Sequence, residues 1–340
     1  MDPVTQGVLG ASLSQSLARN KKQTAIAGLF GLLAGMSPDL DVFIRSGNDP
    51  LLFLEYHRHF THSLAFVPFG GLICGTLLYF LLGRRWGVSF YLSILYCTLG
   101  YATHALLDAC TSYGTQLFWP FSNVRIAWNT MSIIDPIYTL PIITGVLLAA
   151  IKKRPRIAQI IFAWAVIYPC IGLLQHNRAI DAGMDIAASR GHEPISINAK
   201  PSFANIFLWK VIYETSDFYY VDAVRVLTER KIYKGERIEK LNIQRDFFWL
   251  DSESQQAKDI ERFRWFSNGY IAQDPNNSNR IIDVRYSFVP NQISALWGIE
   301  LSPQAEPQDH VFYSSKNTLT DKHLNQFYGQ LLGHKVENNQ

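Results

Sequence analysis

Cysteine and net charge are both scarce in this sequence, and each scarcity narrows what the protein can be. There are four cysteines among 340 residues. They have no CxxC spacing and all precede residue 175, so disulfides do not assign a compartment to the second half. The net charge is only +3, and lysines and arginines occur between apolar runs rather than along one face. We therefore expect no nucleic-acid partner.

Long apolar runs occupy the first half of the chain and are missing from the second. Up to about residue 175, short polar loops separate apolar runs, whereas from His176 on the sequence is charged and rich in Asn and aromatic residues. We predict an α-helical polytopic membrane domain at 1–175 and a soluble α+β domain at 176–340. Neither a basic stretch nor a small-residue cleavage site indicates a removable signal peptide, so insertion would depend on internal spans.

The first half predicts about five spans or partial spans after an N-terminal helix. Residues 4–18 have helical spacing and suit a helix at an interface or packed on other helices. Residues 23–38 are short for a span of about 20 residues, and their Gly31-x-x-x-Gly35 spacing lets helices approach closely. The further runs are 63–83, 86–103 with helix continuing through His104 and Asp108, 136–151 and about 157–175.

Basic clusters predict the orientation of these spans. Three of them separate the apolar runs: Lys21/Lys22, Arg84/Arg85 and KKRPR at 152–156. The positive-inside rule places such loops in the cytoplasm. Because spans alternate, the polar segments at the other helix ends and the whole of 176–340 are predicted on the non-cytoplasmic side.

The second half predicts an antiparallel sheet with a helix. Segments 208–215, 218–227 and 281–289 carry β-branched and aromatic residues in partial alternation, and 254–266 has helical periodicity. The Asp274-Pro-Asn-Asn-Ser-Asn segment predicts a turn. The tail at about 335–340 is predicted to be disordered.

Ionisable side chains are concentrated at the ends of the apolar runs. Asp39 and Asp41 can direct two carboxylates at one point, which divalent cations favour, although a helix cap or a solvated turn is the ordinary alternative. His104 and Asp108 lie four residues apart in a helical run, so they share a face and can reach the same ion. Such groups are costly at the end of a span unless they are paired or bound to metal.

The loop before the 63–83 run adds His57 and His62, which either bind metal or lie at the membrane interface. Imidazoles and carboxylates without thiolates suit Zn²⁺, Mn²⁺ or Fe²⁺, and their number exceeds the four ligands of a structural zinc site. We therefore expect room for two or more divalent ions, with Zn²⁺ favoured. Such a site activates a water molecule and stabilises phosphoryl or acyl oxygens.

Two further residues are candidate catalytic groups. Arg58 is placed either to hold a phosphoryl oxygen by bidentate hydrogen bonds or to form a salt bridge with Glu55 or Asp49. Asp135, just before Pro136, offers another carboxylate on the same side, with a helix N-cap as the equal alternative.

Several segments resemble the motifs of a known family: MDPVTQGVLGA at 1–11, SPDLD at 37–41, HRHFTHS at 57–63, GYATHALLDACTSYGTQLFWPFS at 100–122 and IDP at 134–136. They are similar to those of the membrane-bound, metal-dependent hydrolases of YdjM type, which are distantly similar to the zinc-dependent phospholipase C and P1 nuclease group. The resemblance covers about 1–175 and implies a polytopic bacterial inner-membrane protein with a hydrolase site. By matching motifs it assigns metal binding to Asp39, Asp41, His57, His62, His104 and Asp108, with Asp135 as a further candidate.

The sequence departs from the family pattern at two positions. A His is usual where this chain has Gln6, and an amide is a poor ligand for a transition metal, so one ligand fewer is expected. The HRG pattern of the family is HRH here. His59 is either a replacement ligand or a solvated bystander, and we favour the bystander because His57 and His62 already point to the site.

These features favour metal-dependent hydrolysis of a phosphoester from a membrane lipid or envelope component, with a metal-activated hydroxide as the nucleophile. An ion-relay or transport protein is an alternative, since intramembrane Asp and His residues also mark ion paths. A non-catalytic metal-binding scaffold is a third, which Gln6 keeps open.

Overall fold

The computed structural model describes residues 1–18, 21–315 and 319–334. The chain divides into two units. The first comprises Met1–Ile44, Tyr56–Leu174 and Phe203–Asn205, and the second comprises Arg45–Glu55, Gln175–Ser202 and the described residues from Ile206 on. The predicted disordered tail at 335–340 lies outside the described residues.

Helices make up most of the chain as far as residue 189. In chain order they are α1 (Pro3–Ser16), α2 (Thr24–Met36), α3 (Leu52–Tyr56), α4 (Val67–Leu78), α5 (Phe90–Cys110), α6 (Pro136–Lys152) and α7 (Pro155–Ser189). Short 3₁₀ helices at Ser37–Phe43, Phe60–His62 and Leu64–Phe66 and a π turn at Tyr79–Gly83 extend or precede them.

Local sequence accounts for the helix starts. The Asp2 side chain accepts a hydrogen bond from the Thr5 amide at the start of α1, and Asp135 does the same for α6. In both helices proline is at the first position, where no amide hydrogen is needed. The Ser89 hydroxyl caps α5 by accepting from the Leu92 amide.

Four segments are long and apolar enough to cross a membrane: Thr24–Phe43, Leu64–Gly83, Phe90–Cys110 and Pro155–Ser189. The helix Pro136–Lys152 is shorter but also apolar. Large apolar side chains such as Phe69 and Ile73 are exposed on α4, as expected of a surface that faces lipid. The prediction of a helical membrane region followed by an α+β domain is confirmed.

Two predicted runs differ from the observed helices. The run at 23–38 looked too short to span, yet the 3₁₀ helix Ser37–Phe43 continues it to 20 residues. Pro38 does not end the segment because it lies in the first turn of that 3₁₀ helix, where its missing amide hydrogen costs nothing. The run at 157–175 continues as helix to Ser189, since small residues such as Ala179 and Ala182 are buried on its later turns.

Glycines allow α1, α2 and α5 to pack against one another at close range. A Cβ atom on Gly10 would lie 3.1 Å from Cα of Gly100, and one on Gly100 would lie 2.7 Å from Cα of Gly31. Both values are below ordinary carbon contact distances of about 3.5–4.0 Å. These crossings bring the C-terminal ends of α2 and α5 together, and the candidate site lies at those ends.

The second unit contains two antiparallel sheets. One has the order β1-β2-β3-β4 with β5 also paired to β3, and the other has the order β6-β7-β8-β9. The strands are β1 (Ser196–Pro201), β2 (Leu208–Glu214), β3 (Phe218–Val226), β4 (Arg230–Tyr233), β5 (Arg237–Glu239), β6 (Ile271–Asp274), β7 (Asn277–Asp283), β8 (Trp297–Glu300) and β9 (Phe312–Ser315). The helices are α8 (Ile243–Asp246), α9 (Gln255–Phe266) and α10 (Asp321–Leu332).

The sequence predicted one antiparallel sheet with a helix, whereas the described residues form two antiparallel sheets; the individual segments match better. The segments 208–215 and 218–227 form β2 and β3, and 254–266 forms α9. The segment 281–289 is strand only to Asp283, because the Asp283 carboxylate accepts the amide hydrogen of Arg285 and turns the chain. The predicted turn at 274 is a hairpin turn of Pro275 and Asn276, after which the chain enters β7.

Candidate metal centre

Three separate parts of the first unit contribute to one polar cluster. Asp39 lies on the 3₁₀ helix that continues α2. His62 ends the short 3₁₀ helix Phe60–His62. His104 and Asp108 lie one turn apart on α5 and are both fully buried. One donor atom from each of the four side chains lies within 4.8 Å of the others. In the described ranges, no other group of three or more His, Cys, Asp or Glu side chains comes this close.

The four donors are spaced as the ligands of one small ion would be. The Nε2 atoms of His62 and His104 are 2.9 Å apart. Asp39 Oδ1 is 3.4 Å from His62 Nε2 and 3.3 Å from His104 Nε2. Asp108 Oδ2 is 3.3 Å and 3.5 Å from the same two nitrogens. Ligands about 2.0–2.1 Å from a tetrahedral zinc ion lie about 3.3 Å from each other, so four of these five separations match that geometry.

Hydrogen bonds at the other ring nitrogens fix the tautomers of both histidines. His104 Nδ1 is 2.6 Å from the carbonyl oxygen of Gly35, which can only accept. His62 Nδ1 is 3.2 Å from Asp41 Oδ2 and 3.0 Å from the Thr61 hydroxyl, which itself donates to Asp41. Both Nδ1 atoms therefore carry hydrogen, as in metal-bound histidines whose second nitrogen donates to an oxygen. The two Nε2 atoms then face each other at 2.9 Å, a separation that either a proton shared between them or a bound metal ion would stabilise.

The carboxylate of Asp108 fits the same role. Its Oδ1 accepts a hydrogen bond from Gln6 Nε2 at 2.9 Å. Its Oδ2, the atom that faces the histidines, is buried without a hydrogen-bond partner, although the Arg58 guanidinium is near, with Nε at 3.2 Å. The Asp108 carboxylate already has two cationic neighbours, the Arg58 guanidinium at Oδ2 and the Met1 ammonium group at Oδ1, and a metal ion at Oδ2 would be a third. The donor set of two imidazoles and two carboxylates fits a divalent metal such as zinc.

The charge of the cluster also favours a cation. Burial by itself would lower the pKa of the His62 imidazole, but its hydrogen bonds to Asp108, Asp39 and Asp41 raise that pKa to about 10. The carboxylates thus attract positive charge to the position between the rings. A bound divalent ion would satisfy the same demand and displace the extra proton.

Two of the predicted ligands lie beside this cluster and do not contribute to it. His57 Nδ1 is 2.9 Å from Asp41 Oδ1, and the amide of Arg58 donates to Asp41 Oδ2 at 2.9 Å. Asp41 is buried, and its Oδ2 orients the His62 ring through Nδ1, the nitrogen that points away from the cluster. The metal-binding roles predicted for Asp41 and His57 stay predictions.

The Arg58 side chain lies against the four-donor cluster and does not form the salt bridge to Glu55 or Asp49 that was its alternative role. Its guanidinium contacts Asp108 and donates to the Thr111 hydroxyl at 2.9 Å. The alternative prediction of a salt bridge to Glu55 or Asp49 is wrong, because both of those carboxylates pair with Arg262. The Arg58 backbone has φ of 65°, a left-handed conformation in which its amide hydrogen and its side chain both serve this region.

Asp135 is the N-cap of α6, which is the alternative role that its sequence context suggested. Its Oδ1 caps α6 by accepting from the amides of Ile137 and Tyr138. Its Oδ2 accepts from the Tyr168 hydroxyl at 2.8 Å. Both oxygens therefore have partners away from the four-donor cluster, and a catalytic role for Asp135 stays a prediction.

Sequence reasoning missed three contributors. The Gly35 carbonyl orients His104 and gives no sequence signal. Gln6 replaces an expected ligand, but its amide reaches Asp108, which suggests that a residue at a ligand position can serve as a positioning group. Tyr113 has its ring 4.8 Å from the Arg58 guanidinium carbon and 5.6 Å from the His57 ring, and only its closeness in sequence to Asp108 hinted at this. His59, interpreted as a bystander, lies 5.4 Å from the Trp119 ring and outside the cluster.

Comparison with known proteins agrees with a membrane assignment. A family model described as YdjM inner membrane protein matches residues 1–179. The chain belongs to this family. With its several apolar helices, it is a multi-pass inner membrane protein. The matched region contains every residue of the four-donor cluster.

Curated relatives match parts of the chain. It is 29% identical over 142 residues to the uncharacterized protein YfhP of Bacillus subtilis, covering 40% of this chain and 42% of that protein. It is 31% identical over 113 residues to the inner membrane protein YbcI of Escherichia coli, covering 30% of this chain and 60% of that protein. The match thus spans less than two thirds of the length of either relative. No solved structure matches the chain.

Proposed function

We propose that the protein is a metal-dependent hydrolase of the bacterial inner membrane that cleaves a phosphoester of a lipid or envelope component. The observation that supports this most is the pair of facing Nε2 atoms of His62 and His104, 2.9 Å apart between two carboxylates. We propose one zinc ion per chain, held by Asp39, His62, His104 and Asp108. Four protein ligands would fill a tetrahedral zinc, so a water molecule or a phosphoryl oxygen would bind as a fifth ligand, and zinc would there lower the pKa of the water or polarise the phosphoryl group.

The chain's own groups define how a substrate would be held. The Arg58 guanidinium is buried beside Asp108 and in contact with the Tyr113 ring, so it is fixed in place before substrate arrives. A planar guanidinium suits phosphoryl oxygens because its N–H groups match their geometry. We assign Arg58 to binding the phosphoryl group and Tyr113 to keeping that guanidinium in orientation. Asp41 and Thr61 keep the His62 ring in the tautomer that leaves Nε2 free.

Exposed apolar side chains near the cluster support a lipid substrate. Leu40 lies between Asp39 and Asp41 in sequence and is 62% exposed, and Phe43 on the same 3₁₀ helix is 79% exposed. Both belong to a segment that is apolar enough to lie in a membrane. A phosphoester group at the bilayer surface would thus reach the cluster without leaving the lipid phase.

The orientation of the membrane domain is part of the proposal. Lys21 and Lys22 precede α2, whereas the cluster residue Asp39 follows it. Arg84 and Arg85 follow the π turn after α4, whereas His62 precedes α4. In each case the basic pair and the cluster residue lie at opposite ends of the span. By the positive-inside rule these loops are cytoplasmic. We therefore propose that the cluster and the second unit are periplasmic or extracytoplasmic.

An ion-relay or transport function is the second candidate. Ion paths place ionisable residues through the depth of the spans. Here Asp39, His62 and Asp108 lie near the ends of their segments, which favours a site at the membrane surface.

Metal content tests the site directly. Protein purified in detergent should contain about one zinc ion per chain by elemental analysis. The variants His62→Ala, His104→Ala and Asp108→Ala should lose it, while circular dichroism stays unchanged. His59→Ala is the matched control, because it lies on the same loop as His62 but outside the cluster, and it should keep the metal. Metal retention in all three cluster variants would contradict the site.

The metal content of the His57→Ala variant distinguishes a site with one ion from a site with two. If the cluster holds a single ion, this variant should keep the wild-type metal content, because His57 contacts Asp41 and not the four donors. A fall from two ions to one would instead support the larger ligand set predicted from the sequence.

Activity distinguishes an enzyme from a scaffold. The protein in nanodiscs should hydrolyse a synthetic phosphomonoester or phosphodiester, or a phospholipid, in a zinc-dependent manner. Arg58→Lys should lower the rate more than it lowers metal content, because a lysine lacks the planar donor pair. Full metal content with no hydrolysis of any of these substrates would favour the scaffold.

A further inference from the structure

A cavity of about 380 Å³ lies in the second unit, between Glu236, the β6–β7 turn and the segment before β8. Its wall includes Glu236, Asp274, Asn276, Arg280, Ile293 and Ser294. Cavities of about 300–1,000 Å³ are typical of small-molecule sites. This cavity is built only from residues of the second unit, so it is independent of the metal cluster and of the hydrolase proposal.

A buried guanidinium with an unused donor forms part of this wall. Arg280 is 1% exposed. Its Nη1 donates to Asp274 Oδ2 at 2.7 Å and its Nε donates to the Ser314 hydroxyl at 3.0 Å. Its Nη2 is buried without a hydrogen-bond partner. Leaving such a donor unpaired is costly, so an oxygen atom supplied by a ligand would be bound with a charge-assisted hydrogen bond.

The guanidinium is also held rigidly. Gly298 on β8 lies beneath it, and a Cβ atom at that position would come within 3.1 Å of Arg280 Nε. The glycine therefore allows the guanidinium to lie against the strand. A donor that is already fixed in this way loses little conformational freedom when a ligand binds.

Glu236 provides the opposite charge in the same cavity. It is exposed, and its Oε2 accepts the amide hydrogen of Ile293 at 2.9 Å, which orients the carboxylate. Besides Asp274, which pairs with Arg280, the cavity thus has one guanidinium donor and one carboxylate, which suit a ligand that carries both an anionic oxygen and a cationic nitrogen.

Other ligand classes fit less well. A phosphate has anionic oxygens but no cationic group to offset Glu236 and Asp274, whereas a zwitterion would present its ammonium group to Glu236. A metal cation would be repelled by Arg280. Among the described lining residues there is no aromatic ring on which a sugar could stack.

We propose that this cavity binds the zwitterion of an amino acid or a short peptide, with the ligand carboxylate at Arg280 and its ammonium group at Glu236. The two sources share this chemistry and differ in size. A free amino acid and a dipeptide therefore serve as the two arms of one experiment.

Calorimetric titration of the full-length protein in nanodiscs with L-alanine and with L-alanyl-L-alanine tests the proposal. At least one of them should bind saturably. For the one that binds, the N-acetylated form and the C-terminal amide should each bind at least tenfold more weakly. Whichever of the two binds more tightly identifies the source as amino acid or peptide.

Variants at the exposed wall avoid disturbing the buried arginine. Ser294→Trp, which fills the cavity from an exposed position, and Glu236→Gln should each weaken binding at least tenfold. Ser278→Trp is the matched control, since Ser278 is exposed on β7 but does not line the cavity, and it should bind as the wild type does. The proposal is overturned by an absence of saturable binding to folded protein, by equal binding of the N-acetylated or amide form, or by unchanged binding in Ser294→Trp.

Discussion

The close crossing of α2 and α5 predicts that Gly100→Ala damages the metal site without touching a ligand. A Cβ at this position would lie 2.7 Å from Cα of Gly31. Because carbon atoms pack at about 3.5–4.0 Å, the two helices must separate by about 1 Å. His104 is one turn after Gly100, and its partner carbonyl at Gly35 is one turn after Gly31. The separation therefore acts on the hydrogen bond that orients His104.

A shift of this size exceeds what a metal site tolerates. Metal–ligand distances hold to within about 0.2 Å, and disturbing the partners of metal ligands lowers affinity about 10–100-fold. We expect that loss of zinc affinity in Gly100→Ala. Overpacking should also cost about 1–3 kcal/mol of stability, partly offset by about 1 kcal/mol from the higher helix propensity of alanine.

Zinc titration against a competing chelator, together with thermal melting in detergent, measures both effects. Gly47→Ala is the control, because a Cβ there would meet nothing within 4 Å, and it should behave as the wild type does. Wild-type zinc affinity and wild-type melting in Gly100→Ala would refute the packing argument.

Three further predictions concern other contacts. Asp41→Asn should lower zinc affinity about 10–100-fold in chelator competition, because it weakens the partner that orients the His62 ring. Burial lowers the pKa of Lys210 to about 7 from 10.5. Between these values the unfolded chain binds more protons, so stability should rise with pH relative to Lys210→Met in thermal melts. Arg262→Ala removes ion pairs to Asp49 and Glu55 and should speed hydrogen exchange in the segment 45–55.

Each of these has its own contrary outcome. Unchanged zinc affinity in Asp41→Asn would mean that the Thr61 hydroxyl alone orients His62. A melting difference between wild type and Lys210→Met that is the same at pH 7 and pH 9 would show that Lys210 is not neutral in the folded protein. Arg264→Ala is the control for Arg262→Ala, since Arg264 pairs with Glu261 on its own helix. Equal exchange in the two variants would contradict an anchoring role for Arg262.

Much of the fold could be predicted because the signals are local. Apolar runs bounded by basic pairs predicted the spans, and alternation of β-branched and aromatic residues predicted β2 and β3. Boundaries were less accurate. The end of α7 depends on burial of Ala179 and Ala182, and the end of β7 depends on how the Asp283 carboxylate bonds to the Arg285 amide. Neither interaction can be predicted from the periodicity of apolar residues in the sequence.

The candidate site was predicted only in part. His104 and Asp108 could be paired from sequence, because residues four apart on a helix share a face. The sequence offered Asp39, Asp41, His57 and His62 equally as metal ligands. The structure brings only Asp39 and His62 into the cluster, since Asp41 and His57 pair with each other and Asp41 also faces Nδ1 of His62.

The sequence by itself determined the two kinds of domain, the helical pairing of His104 with Asp108 and the polar segments that supply the other donors. Each follows from residues close together in the chain. Only the tertiary structure decided which carboxylate joins which imidazole, that Arg58 contacts Asp108, and that Arg280 keeps an unpaired donor beside a cavity. These depend on helices that approach through glycines and on strands that pair across sheets, and such long-range contacts have no fixed spacing in the sequence.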